Sequence, residues 1–309
     1  MKYDILIIGA GPGGVSAGIY AKRAGRNVAI IEKFAVGGQL NMIGKIENYA
    51  GFKSIEGAEL ASEFESHLKS LDIPVIYDEV VDVDFSCEVK KIKTRNGNYE
   101  AIAVILALGS NSRELNIEGE RKFKGSGVSY CAVCDGRFFK GKKVAVVGSG
   151  DSAASDALYL SNLCSHVYVL TKSTLKMNNY TFLELEEKEN ISIIQGAISK
   201  KIEGDFNIKS LIYEKDGKEE KLDIDGVFVA IGKMPDTAML KNKLKLSEKG
   251  YILSDNKMQT SEEGIYICGD IKEGSIKQIS TAVGDGAIAG TEASKYVLRK
   301  QFSAKLFNV

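Results

Sequence analysis

Ile5-Leu6-Ile7-Ile8-Gly9-Ala10-Gly11-Pro12-Gly13-Gly14 decides the fold of this chain. The run up to Ile8 is continuously apolar, as a strand buried on both faces of a parallel sheet must be. Glycines then fall at 9, 11 and 14 and lead into a stretch, about Gly14 to Ala24, that predicts a helix. Its small residues Ala17, Gly18 and Ala21 allow close packing. A second strand, Val28-Ala29-Ile30-Ile31, ends in Glu32. A lone GxGxxG decides little. Strand, loop, small-residue helix, strand and terminal acid together match the dinucleotide fingerprint. There the loop amides and helix N-terminus meet a pyrophosphate, and the carboxylate takes ribose hydroxyls. The competing reading is an ordinary glycine turn with a solvated Glu32.

Further along, Leu60, Phe64, Leu68 and Leu71 recur at helical spacing, with His67 beside the stripe in a structural role. Strands are expected at 75–84 and 88–94. Asn96-Gly97 then signals a hairpin into the apolar segment from Ala101 to Gly109. The same programme then starts again. Val144-Ala145-Val146-Val147 reads as a strand and Gly148-Ser149-Gly150-Asp151-Ser152-Ala153 as a second loop. A helix to about Leu163, a strand at 167–170 and a hairpin at Asp216-Gly217 follow. Gly226-Val227-Phe228-Val229-Ala230-Ile231-Gly232 closes the repeat, as the segment ending at Gly109 closes the first. Self-similarity at about half the chain length argues for two homologous βαβ modules. The fold class expected is α/β, with two Rossmann-like three-layer dinucleotide-binding domains. The stretch after residue 240 has no third loop and reads as a return to the first module. One domain then comprises 1–113 and 241–309 and is discontinuous, and the other comprises 114–240.

Between the two loops lies Cys131-Ala132-Val133-Cys134-Asp135-Gly136. Two cysteines at this spacing close a small disulfide, and their thiolates attack other disulfides, so the pair carries two electrons. Structural zinc would need about four ligands in paired spacing. Cys87, Cys164 and Cys268 are isolated, and His67 and His166 are the only histidines. A redox dithiol set between two dinucleotide modules reads as a flavoprotein that reduces disulfides.

Composition narrows the classes. Lysine plus arginine and aspartate plus glutamate both number 41, so no net field draws the chain to nucleic acid or to an anionic membrane. No apolar run approaches the ~20 residues that span a bilayer. The glycine loop comes too early for a signal peptide, and the scattered cysteines make no secreted framework. A cytoplasmic location is expected.

Over nearly all its length the sequence resembles the low-molecular-weight thioredoxin reductases. The resemblance rests on the first glycine loop, Gly37-Gly38-Gln39-Leu40, the segment Ile46 to Phe52, Cys131 to Gly136, Phe228 to Gly232, Gly269-Asp270 and Lys277-Gln278. It implies an FAD site in the first module and the C-terminal segment. The residues implied are Gly9, Gly11, Pro12, Gly13, Gly14, Glu32, Gly38, Gln39, Leu40, Asn48, Gly269, Asp270, Lys277, Gln278 and Ile279. It also implies that Cys134 lies near the flavin, that Cys131 attacks the thioredoxin disulfide, and that Asp135 is the general acid–base. The family is typically homodimeric, and its middle domain normally binds NADPH.

That nucleotide site is where the chain departs. Gly148, Gly150 and Ala153 survive, but Ser155 stands where an acid is expected. NADPH-using members carry a histidine and several arginines after the strand at 167–170. This chain has Thr171-Lys172-Ser173-Thr174-Leu175-Lys176-Met177, with no arginine for a bidentate phosphate contact. The loss resembles a divergent branch in which reduced ferredoxin is the donor, and Lys272 and Lys277 are then candidate docking cations. Phe302 and Phe307 either stack over the flavin or pack the terminus. An ordinary NADPH-dependent enzyme, a small-molecule dithiol oxidase and a non-catalytic redox-sensing module are the remaining readings, and the full set of FAD anchors argues against the last.

Overall fold

The computed structural model describes residues 1–309 except 44, 176–178, 308 and 309, and of 42, 179–181 and 304–307 it gives the backbone only. The chain divides into two compact units, Met1–Asn111 with Met234–Val309, and Ser112–Lys233. The return to the first unit therefore begins at Met234, not at 241. Leu240 is the reason: it is fully buried with Leu6, Ile8, Val104 and Ile267, so the 3-10 turn that carries it belongs to the first core.

In the first unit, parallel strands Lys2–Ile8, Val28–Glu32, Val75–Tyr77 and Asn98–Leu106 form the body of a seven-stranded sheet. Antiparallel Lys90–Thr94 pairs with the start of the 98–106 strand, and parallel Ile265–Ile267 with its end. The last strand thus enters the sheet from the C-terminal segment, which makes the unit discontinuous. Side-chain alternation sorts the first strand into two cores. Ile5 and Ile7 face helices α1 (Pro12–Arg23) and α6 (Ile279–Phe307), while Leu6 and Ile8 face Leu240, Ile252 and Ile271. Helix α2 (Gly57–Ser70) buries Leu60 and Leu68, as its periodicity requires, and leaves His67 exposed.

The second unit repeats the plan. Val128–Ser129, Gly226–Val229, Lys143–Val147, His166–Thr171 and Ile191–Gln195 form an all-parallel sheet in that spatial order. Val144 and Val146 face α3 (Ala132–Asp135) and α4 (Asp151–Ser161), joined by Leu185 of α5 (Asn179–Glu186). Ala145 and Val147 face an antiparallel sheet of Ile198–Gly204, Ile208–Lys215 and Lys218–Asp223. The Asp216-Gly217 turn of that sheet has φ of 51° and 74°, the double left-handed geometry of a tight hairpin. Each unit is thus three layers with helices on one face, and the opposite face is covered by extended chain or strands.

Helix α6 lies so close to α1 that a Cβ on Gly286 would sit 2.1 Å from the Gly13 carbonyl oxygen. Gly286→Ala must push the helices apart. A loss of about 1–3 kcal/mol of stability is expected, read as a lower denaturant midpoint at unchanged slope.

Candidate active site

Four parallel strands of the first unit end at one edge, and their C-terminal loops carry the chemistry. This edge is where open α/β sheets bind ligands. Gly9 has φ of 104°, and a Cβ there would lie 2.4 Å from the Ala107 carbonyl oxygen. At Gly14 a Cβ would lie 1.9 Å from the Gly9 oxygen, so α1 can start only where that carbon is missing. Nothing lies within 4 Å of a Cβ built on Gly11, which opens onto space. These are the three glycine roles of a dinucleotide loop: the turn, the helix packing and the cradle for a pyrophosphate. Pro12 occupies the first helical turn, where its missing N–H costs nothing, and Gly13 is buried beneath it.

Glu32 is 8% exposed, and its carboxylate accepts from Ala10 N–H at 2.7 Å and Phe34 N–H at 2.9 Å. The acid is thereby fixed beside the loop with lone pairs left for ribose hydroxyls. Three more loops converge nearby. Gln39 Nε2 donates to the Ser110 carbonyl at 2.6 Å, and the Ser110 hydroxyl lies 3.5 Å from Asp270 Oδ2. Gly269 holds φ of 75° at the turn after strand 265–267, which places Asp270 at the strand end. Asn48 Nδ2 donates to Gln278 Oε1 at 3.1 Å. Gly38, at φ of 54°, would place a Cβ 3.4 Å from the Gly11 Cα, so the second glycine pair abuts the first loop. Ile279 begins α6 and packs, like the fully buried Leu40, on the Ile46–Ile55–Leu60 cluster. Leu40 can therefore offer a cofactor only its backbone. The donor set fits FAD.

Lys272 and Lys277 are not free surface cations. Lys272 pairs with Asp285 at 3.1 Å, and Lys277 Nζ donates to the Tyr251 hydroxyl at 2.5 Å. Burial lowers the Lys277 pKa, opposed by Asp270 and Glu273. Phe302 is 63% exposed, so it packs into no core; Lys176, Met177 and the Phe307 side chain lie outside the described residues.

In the second unit, Cys131 and Cys134 are joined in a disulfide across a Cα–Cα distance of 5.3 Å. Cys131 caps α3, and its sulfur accepts from Cys134 N–H at 3.3 Å. Both cysteines are half-buried, and Val133 and Phe138 near them in the sequence are exposed. Asp135 follows directly. Burial raises its carboxyl pKa, and the hydroxyl of buried Ser129, donating at 2.7 Å, pulls it back. Two of the other thiols are held protonated. Burial pushes Cys164 up to about 11 and raises fully buried Cys268 further still, while Cys87 is exposed and isolated from both.

Two further acids of the second unit escape the sequence. Glu120, 1% exposed, accepts from Leu115 N–H, Asn116 N–H and the Tyr130 hydroxyl at 2.7–2.8 Å, and so ties down the residue before Cys131. Asp156 on α4 is pushed up to about 6 by burial, with Lys233 opposing. No sequence pattern marks either, because each depends on what folds over it. The second glycine loop is intact: a Cβ on Gly148 would lie 2.3 Å from the Ala230 oxygen, and Gly150 caps α4. Ser155 and Lys172 are exposed.

Residues 3–286 match the model of the pyridine nucleotide-disulphide oxidoreductases. Thioredoxin reductase of Bacillus subtilis is 37% identical over 307 residues, covering 98% of this chain and 97% of that protein. The structure of thioredoxin reductase from Streptococcus pyogenes superposes with a TM-score of 0.90 at 37% identity, over 96% of this chain and 99% of that one. A ferredoxin-flavin thioredoxin reductase from Clostridium acetobutylicum gives 0.54 at 32% identity, over 96% and 99%. The chain belongs to the thioredoxin reductase family. It is an FAD-dependent disulfide oxidoreductase, and the fingerprint of the first unit fits that cofactor.

Glu32 gives this assignment a direct check. Glu32→Gln puts an NH2 against one of two N–H donors, so one charge-assisted bond is lost and one donor is opposed. FAD affinity should fall about ten- to a hundred-fold, measured by fluorescence titration of the apoprotein.

Proposed function

We propose that this enzyme reduces the disulfide of a thioredoxin with electrons from reduced ferredoxin, in the cytoplasm and as a homodimer. The observation that carries the first half is the half-buried Cys131–Cys134 disulfide with a buried-side acid, Asp135, next to it. Bound FAD supplies a two-electron store between the donor and this pair. In the reduced dithiol, the Cys131 thiolate attacks one sulfur of the thioredoxin disulfide and forms a mixed disulfide, releasing a thioredoxin thiolate. Cys134 then attacks Cys131, which closes the 131–134 bond and releases the second thiolate. Asp135, whose carboxyl burial keeps protonated to higher pH, is placed to give the leaving thiolate its proton. Two thiols leave and one disulfide forms, so the electron pair is accounted for.

The donor half rests on the pyridine-nucleotide loop of the second unit. The described part of its rim, Thr171–Leu175, offers Lys172 and no guanidinium, and Ser155 offers no carboxylate. A 2′-phosphate carries close to two charges, and each charge-assisted contact contributes about 1.5–3 kcal/mol. Loss of two such contacts weakens NADPH by roughly two to four decades. Ferredoxin near about −400 mV against thioredoxin near about −270 mV leaves ~130 mV, or about 6 kcal/mol for two electrons. Two ferredoxins are consumed for each disulfide. The intact Gly148–Gly150–Ala153 loop favours the second reading, an NADPH-dependent reductase.

Anaerobic titration of the oxidised holoenzyme decides between them. Reduced ferredoxin is expected to bleach the flavin, and micromolar NADPH and NADH to leave it yellow. Rapid stoichiometric bleaching by NADPH would establish the second reading.

The dithiol assignment has its own outcome. Cys134→Ser should abolish transfer from flavin to disulfide, while Cys131→Ser should leave a flavin–thiolate charge-transfer band and no thioredoxin reduction. Parental rates in both variants refute the roles.

A further inference from the structure

Ser129 lies two residues before the dithiol, is 5% exposed, and has three polar contacts through one oxygen. Its Oγ accepts from Cys131 N–H at 3.1 Å, lies 2.7 Å from Asp135 Oδ2, and lies 3.3 Å from the Cys131 carbonyl oxygen. The hydroxyl has one proton, so it donates to Asp135 or to the Cys131 carbonyl, not to both. The two acceptors correspond to two states of the acid. When Asp135 is ionised, the carboxylate is the stronger acceptor and holds the hydroxyl proton. When Asp135 is protonated, its own O–H donates to Ser129 Oγ, and the serine proton turns to the Cys131 carbonyl. Every polar atom stays satisfied in both states. The backbone of the attacking cysteine thus feels the charge on the acid one residue beyond its partner.

We propose that Ser129 is a positioning residue of disulfide reduction, holding the Asp135 carboxyl and coupling its protonation to the backbone of Cys131. The inference rests on the general acid–base reading of Asp135. The titratable groups on elements packed around Asp135 are Asp151, Asp156 and Tyr159 on α4 and Arg137 on the turn that follows α3. None of them shifts it; burial raises Asp135 and Ser129 alone opposes. The strand Gly226–Val229 beside Ser129 carries no titratable group. Cys131 and Cys134 titrate only when reduced.

The test uses FAD-loaded enzyme with the disulfide closed, so that neither thiol titrates. The Asp135 carboxyl is followed by 13C NMR, its signal assigned by its loss in Asp135→Asn. Ser129→Ala should move its midpoint up by about one pH unit, the effect of removing one hydrogen bond to the charged form. Ser129→Gly, which adds nothing against the neighbours, should do the same, and Ser129→Thr should restore the parental value. A second readout is the pH profile for oxidation of pre-reduced holoenzyme by thioredoxin in a single turnover. It should move in the same direction by the same amount. An unmoved carboxyl, or a threonine variant displaced like alanine, overturns the role of Ser129. A displaced carboxyl with an unmoved rate profile overturns Asp135 as the catalytic acid, and with it the place of Ser129 in the reaction.

Discussion

Both units depend on one steric constraint: a helix must start within contact distance of the loop that precedes it. In the first unit the Gly9 carbonyl occupies the place of a Cβ on residue 14. In the second, a Cβ on Gly148 would lie 2.8 Å from the Ala153 side chain, so alanine is tolerated at the third position because the first is bare. From this approach follows the rest of the layer. The helix is close enough to bury its small face on the sheet, and its free N–H groups point at the strand ends. Helix α6 repeats the device from the other end of the chain, with Gly286 and Gly290 against Gly13 and Ala17. A chain that leaves the first unit at residue 111 is thereby brought back to complete the sheet.

The buried carboxylates are held by donors rather than by cations. Glu32 takes two backbone N–H groups, Glu120 two and a phenol, and Asp78 the N–H groups of Glu79 and Asn96. Charge-assisted bonds of this kind satisfy an acid without burying a second ion, whose desolvation would cost several kcal/mol. Exposed pairs such as Lys69–Glu65 and Lys209–Asp205 are solvated and contribute little. Asp135 is the exception. Among the described residues one hydroxyl and no N–H group donates to its carboxylate, so its charge is undersupported and it keeps its proton longer than an ordinary aspartate.

Much of this was legible in the sequence because the signals were local. The apolar run at Ile5–Ile8, the stripe Leu60–Leu68 and the Asp216-Gly217 turn each specify backbone over a few residues, and each forms the element expected. The dithiol and the glycine loops are legible for the same reason, since their spacing is their geometry. The boundary at Met234 was not, because it is set by Leu240 meeting Leu6 and Ile267 far away in the sequence. Lys272 and Lys277 looked like surface cations and proved committed to Asp285 and Tyr251. Ser129 carries no motif at all; its importance comes from the turn into α3 that folds it back over Asp135.

The two buried cysteines show how the fold limits the routes open to the electron pair. A thiol attacks only as thiolate, so its reach is governed by its pKa and its exposure together. Cys268 sits beside the first glycine loop, its sulfur 3.1 Å from where a Cβ of Gly13 would be, yet full burial holds it protonated. Cys164 lies under α4 in the unit that bears the dithiol and is held the same way. Exchange with either would divert the reducing equivalents into an inert bond. Burial removes that outcome without removing the side chains, which pack as small hydrophobes. Cys87 is exposed but stands alone, with no second thiol to close a disulfide. The pair at the start of α3 combines access to solvent with a partner sulfur three residues away, and between it and the two buried thiols selectivity is a property of packing.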